Sequence, residues 1–116
     1  MGDIRAIAEA FVEARRSARG LPEYPGKAPA DMAGAYRIQD AALEIDGRSV
    51  AGWKVGRINP PLDAQLGTNR LAGPIFADTV VWDDAAEMPV FADGFAAAEA
   101  ELLLHIAPGN ASARPA

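Results

Sequence analysis

The chain has no cysteine. That excludes a disulfide scaffold, a thiolate metal site and a cysteine nucleophile. It has one histidine, His105. Basic residues are outnumbered, eleven Lys and Arg against sixteen Asp and Glu, a formal net charge of −5. This balance argues against a nucleic-acid-binding module and against docking on an anionic membrane surface. No apolar run reaches the length of a membrane span. The opening Met1-Gly2-Asp3-Ile4-Arg5 lacks the apolar stretch of a signal peptide, so a cytoplasmic location is expected. What the chain does have is apolar content: half of its 116 residues, enough for one small packed domain.

Charge is unevenly spread. Residues 1–70 carry ten basic and nine acidic side chains, whereas residues 71–116 carry one basic and seven acidic. One reading is a solvated acidic surface. The other is a cation site, because hard divalent ions need clustered carboxylates.

Local signals outline the elements. Asp3 can cap a helix running through Ile4, Ile7, Phe11 and Ala14 to Ala18, with Gly20 as its stop. Three prolines make residues 20–30 a connector. Asp31 can cap a second helix from Met32 to about Ile45, ended by Asp46-Gly47. Val50-Ala51-Gly52-Trp53-Lys54-Val55-Gly56 reads as a strand, and Pro61 to Leu66 as a short helix closed by Gly67. Further strands are expected at Gly73–Ala77 and Thr79–Trp82, with a weaker candidate at Met88–Phe91. Residues 1–107 thus read as a folded α+β portion: two N-terminal helices, then short strands of a mixed sheet. Residues 108–116, small and polar, read as a disordered tail.

Residues 96–106 are ambiguous. Propensity favours a helix, since the segment is rich in Ala, Leu and Glu. The pattern also alternates. As a strand, Glu99, Glu101, Leu103 and His105 share one face, while Ala100, Leu102, Leu104 and Ile106 share the other. In a helix, residues two apart point roughly 200° from each other, so Glu99 and Glu101 could not serve one site. In a strand they project from the same face about 7 Å apart and can converge on one divalent ion. The alternatives for single residues are plain ones. Two solvated glutamates, a snorkelling Lys54, a core Trp53 and a packed His105 would all be ordinary.

Taken in order, Ala35-Tyr36-Arg37-Ile38-Gln39, Val50–Gly56, Gln65-Leu66-Gly67, Gly73–Asp78 and Ala98-Glu99-Ala100-Glu101-Leu102 resemble the 2-keto-4-pentenoate hydratase branch of the fumarylacetoacetate hydrolase superfamily. The likeness runs from about residue 3 to residue 107. It implies the front portion of a fumarylacetoacetate hydrolase-like fold and a lyase acting on small unsaturated 2-oxo acids from aromatic-compound degradation. The family binds one Mg2+ or Mn2+ with three carboxylates. The resemblance assigns two of them to Glu99 and Glu101 and puts the third beyond the end of this sequence. Lys54 is assigned to the active site. The ion chelates the 2-oxo acid and acts as a Lewis acid on the enolate that forms.

Lysine supplies a positive charge for a substrate oxygen, or a proton. A 2-oxo acid decarboxylase of the oxalocrotonate type carries the same motifs. A non-catalytic truncated fold or interaction module, and a plain acidic helical domain, are the rivals from other classes. Two departures stand out. Leu71-Ala72-Gly73 has no acid where many relatives carry one, and Ala97-Ala98 replaces a bulkier lead-in. Relatives are roughly twice this length. The chain alone is therefore expected to be incomplete, working as a homo-oligomer or with a complementing C-terminal half.

Overall fold

The computed structural model describes residues 3–108 and 113–115. The chain is α+β, with two principal helices, a short third one and a two-stranded antiparallel sheet. It divides into two compact units, Met1–Gly47 with Glu87–Ala97, and Arg48–Ala86 with Ala98–Ala116.

The first unit is built on two helices. Helix α1 spans Ile4–Arg16 and buries Ile7, Ala8 and Val12. Phe11 lies on the expected stripe but is partly exposed. Asp3 heads the helix through its backbone: its carbonyl accepts from Ile7 N at 2.8 Å, and its side chain makes no cap bond. The helix stops before Ala18 and Gly20. The Ser17 hydroxyl bonds back to the Glu13 carbonyl at 2.8 Å, and Ala18 turns the chain at φ 51°. A serine hydroxyl competing for helix carbonyls is a local terminator.

Helix α2 spans Met32–Asp46, close to the expected range. Asp31 Oδ1 accepts from Gly34 N at 2.7 Å, satisfying one of the first free amides. Gly47, at φ 73°, returns its N–H to the Leu43 carbonyl, which is the left-handed stop that favours glycine. The helices meet through Ile7, Ala8 and Ile38, with Ile4, Ala41, Ala42 and Ile45 around them. Arg16 closes the C-terminal end of α2 by donating to the Ile45 carbonyl at 3.2 Å. The connector between the helices passes close to α1. A Cβ on Gly26, whose φ is +132°, would stand 3.0 Å from Ile7 Cγ1.

The second unit is built on a hairpin-like pair. Strand β1 (Val50–Arg57) pairs antiparallel with β2 (Arg70–Phe76), joined through helix α3 (Leu62–Leu66). Lys54 stands opposite Gly73, Val55 opposite Ala72, and Trp53 opposite Pro74. A bulge at Ala51 interrupts the ladder between Val50 and Gly52. Ile58, Ala72 and Phe76 are the buried side chains here. The Arg48 guanidinium lies 3.9 Å over the Phe76 ring and 3.3 Å from Asp78 Oδ1, holding the start of β1 to the end of β2.

Two expected strands, at 79–82 and 88–91, do not form. Ala77–Thr79 is a turn of 3-10 helix, and residues 80–82 and 88–91 are irregular. Residues 98–106 are neither helix nor paired strand. A strand exists only where a ladder partner is present, and these segments find none among the described residues. The sheet is accordingly antiparallel and two-stranded instead of mixed. The expectation of a disordered tail falls partly on residues 109–112 and 116, which lie outside the described residues.

Candidate functional site

Lys54 sits in the middle of β1, and the strand's period of two decides its surroundings. Gly52 and Gly56 flank it on the same face of the strand. Directly across the ladder stands Gly73. A Cβ built on Gly52 or Gly73 would meet nothing within 4 Å. Gly52 and Gly73 leave the sheet bare beside the lysine, whereas a Cβ on Gly56 would touch the Leu71 side chain at 3.8 Å.

That space is where the two candidate carboxylates come. Lys54 Nζ forms an ion pair with Glu101 Oε1 and lies 3.9 Å from Glu99 Oε2. The two glutamates are two residues apart and reach the same amine. Both project toward one side of their segment, although that segment is not a ladder strand. Thus the structure brings Lys54, Glu99 and Glu101 together across more than forty residues of sequence. All three remain partly open to solvent.

The donor set is suited in kind to a hard divalent cation, because carboxylate oxygens are what Mg2+ and Mn2+ take. It is short in number. Among the described residues no group of three His, Cys, Asp or Glu is placed to hold an ion. Glu99 and Glu101 by themselves would hold Mg2+ or Mn2+ only weakly, and a tight site needs a larger set. Lys54 is placed to attract an anionic oxygen delivered to the same spot.

The neighbours divide by face. Trp53 lies on the opposite face of the strand from Lys54 and is only partly buried, and its face-mates Ala51 and Val55 are exposed, so that face is not part of the core. Its Nε1 is shielded and finds no acceptor among the described residues. The Arg114 guanidinium stands 5.5 Å from the Trp53 ring centre. His105 lies against Trp82, with ring centres 6.3 Å apart. The sequence reading passed over the glycines. Their signal was present in Gly52-x-Lys54-x-Gly56, since a period of two puts both beside the lysine. Gly73 was not visible until the register was known.

No helix among the described residues is long and apolar enough to cross a membrane. No family model, no curated protein and no solved structure matches the chain.

Proposed function

We propose that the chain supplies the front part of a divalent-metal site for small unsaturated 2-oxo acids, as in the hydratase branch of the fumarylacetoacetate hydrolase superfamily. On this reading the two helices and the β1–β2 pair are the leading portion of that fold. The observation that carries it is the meeting of Lys54 with Glu99 and Glu101 beside a glycine-cleared patch of sheet. The resemblance assigns those same three residues to one site.

The chemistry follows from the residue types. Glu99 and Glu101 are the anionic donors. A bound Mg2+ or Mn2+ would supply Lewis-acid stabilisation of the enolate form of a 2-oxo acid. Lys54 is paired with the two carboxylates, and its charge is placed to attract a substrate carboxylate. Further donors come from another segment of the protein or a second copy. Hydration and decarboxylation use the same front residues. Carbon dioxide release from an unsaturated 2-oxo diacid, against water uptake by an unsaturated monoacid, separates the two.

The direct test counts free Mn2+ by electron paramagnetic resonance in the presence of the chain. Glu99→Ala and Glu101→Ala are each expected to weaken binding about tenfold or more, as loss of one charged ligand does. Mn2+ affinity unchanged by both substitutions overturns the reading. A second reading, an interaction module, is favoured by one observation: Leu102, Leu104 and Ile106 are all exposed.

A further inference from the structure

The first unit holds a cavity that has no part in the Lys54 site. Its volume is about 440 Å3, within the range of about 300–1,000 Å3 usual for small-molecule sites. Its walls come from the end of α1, the connector that follows and the segment around Phe91. Backbone bonds fix these walls. Ala92 N donates to the Ala18 carbonyl at 3.0 Å, which sets Ala92 beside Arg19. Gly94 N closes a turn on the Phe91 carbonyl at 3.1 Å. Gly20 lines the cavity without filling it, since a Cβ there would meet nothing within 4 Å.

Three rings line it. Phe11 and Tyr24 meet edge to face, their centres 5.5 Å apart, and Phe91 is the third. These rings and Leu21 are each left 37–45% exposed, so the chain itself covers them incompletely. A flat aromatic guest extends an edge-to-face pattern already begun. The polar part of the wall has a sign. Arg15 and Arg19 stand there against one carboxylate, Glu23. In a chain of net charge −5 this is a locally positive wall. The negative end of α1 offsets part of that charge. Its last carbonyls nevertheless have their donors, because those of Glu13, Ala14 and Arg15 accept from the backbone N–H groups of Ser17, Arg19 and Ala18. The guanidinium that reaches across to α2 is that of Arg16, which does not line the cavity.

We propose that this cavity binds a small aromatic carboxylic acid of one or two rings, its ring among Phe11, Tyr24 and Phe91 and its carboxylate toward Arg15 and Arg19. The rings select a flat apolar body, and the planar guanidinium forks select a carboxylate. A cationic guest would meet two like charges. A wholly polar anion would leave the three rings in water. None of these residues belongs to the Lys54 site, so the two readings stand or fall separately.

The test titrates naphthoate into the full chain and follows backbone amide shifts by NMR. The amides of Arg19, Gly20, Tyr24 and Ala92 are expected to move together on one saturation curve. Naphthalenemethanol, with the same rings and no charge, is expected to bind about three- to tenfold more weakly, the effect of losing one partly exposed charge pair. Arg19→Met is expected to weaken naphthoate by the same factor and to leave the alcohol unchanged, which a general loss of structure would not do. Gly20→Leu, whose side chain enters open space, is expected to weaken both ligands about tenfold or more at an unchanged melting temperature. Absence of saturable naphthoate binding overturns the proposal, as does equal affinity for acid and alcohol or tighter binding of naphthylmethylamine. Shifts confined to β1 and β2 also overturn it, because they place the acid at Lys54 instead.

Discussion

Replacing Lys54 with methionine gives opposite results for two ligands, and the signs follow from geometry. Lys54 Nζ is paired with Glu101 and lies 3.9 Å from Glu99 Oε2. The lysine side chain is 43% exposed and the two glutamates are 72% and 48% exposed. At such exposure an ion pair contributes about 0–1 kcal/mol, so Lys54→Met is expected to move the melting temperature little. Methionine keeps most of the aliphatic stem. Cation binding responds differently. Unit charges about 4 Å apart in water interact by about 1 kcal/mol, which doubles to about 2 kcal/mol for a divalent ion. Salt and solvent reduce that figure, so Mn2+ affinity in Lys54→Met is expected to rise roughly three- to tenfold at low ionic strength and less near 0.15 M salt. The affinity for a small 2-oxo acid anion is expected to fall, because its charge partner is gone. Free Mn2+ measured by electron paramagnetic resonance at two salt concentrations, with and without pyruvate as probe, reads both. If Lys54→Met leaves Mn2+ affinity unchanged or lowers it, the carboxylates beside Lys54 are not the cation site.

Gly73→Val tests whether the bare patch serves ligands. A Cβ there meets nothing within 4 Å and valine suits a strand, so thermal stability should hold or rise slightly while 2-oxo acid affinity drops; unchanged affinity would make the glycine incidental. Asp31→Ala removes the 2.7 Å cap on Gly34 N and should cost about 1 kcal/mol in urea unfolding, whereas Asp31→Ser should recover most of it. Ile38→Ala opens the contact with Ile7 and Ala8 and should cost about 2–4 kcal/mol by the same assay, with no effect on Mn2+ binding.

Legibility in the sequence followed the range of the interaction concerned. Helix α2 and the short α3 were readable because Asp31, Gly47 and Gly67 act within one turn of the chain they start or stop. Strands β1 and β2 were readable as apolar runs broken by Asn59-Pro60-Pro61 and Gly67. The end of α1 was misplaced because Ser17 and Ala18, neither a strong breaker, act together by a back-bonded hydroxyl and a left-handed residue. Strands expected at 79–82 and 88–91 failed for a different reason. Val80, Val81 and Trp82 have the composition of a strand, but a ladder is a non-local object, and composition does not reveal whether a partner arrives. The site divides the same way. Glu99 and Glu101 were legible from a two-residue spacing. The approach of both to Lys54 came from the resemblance, and the opening made by Gly73 needed the register.

Residues 98–106 bring these strands of reasoning together. Their period of two gives the segment two chemically different sides, with odd positions carrying Glu99 and Glu101 and even positions carrying Leu102 and Leu104. The odd side already has an occupant, since Lys54 lies against both carboxylates. The even side has none among the described residues, and exposed leucines at that density favour removal from water. A helix would have mixed these residues around one axis and placed the glutamates on different faces. The absence of helix here, despite a composition rich in Ala, Leu and Glu, shows that local propensity does not decide this segment. Nor does a ladder with β1 or β2 decide it. An ion pair half open to water is worth too little to hold nine residues in place against their conformational entropy. On the proposed reading, a surface that covers these leucines would order the segment more strongly than the ion pair does, and would position the carboxylate pair with it.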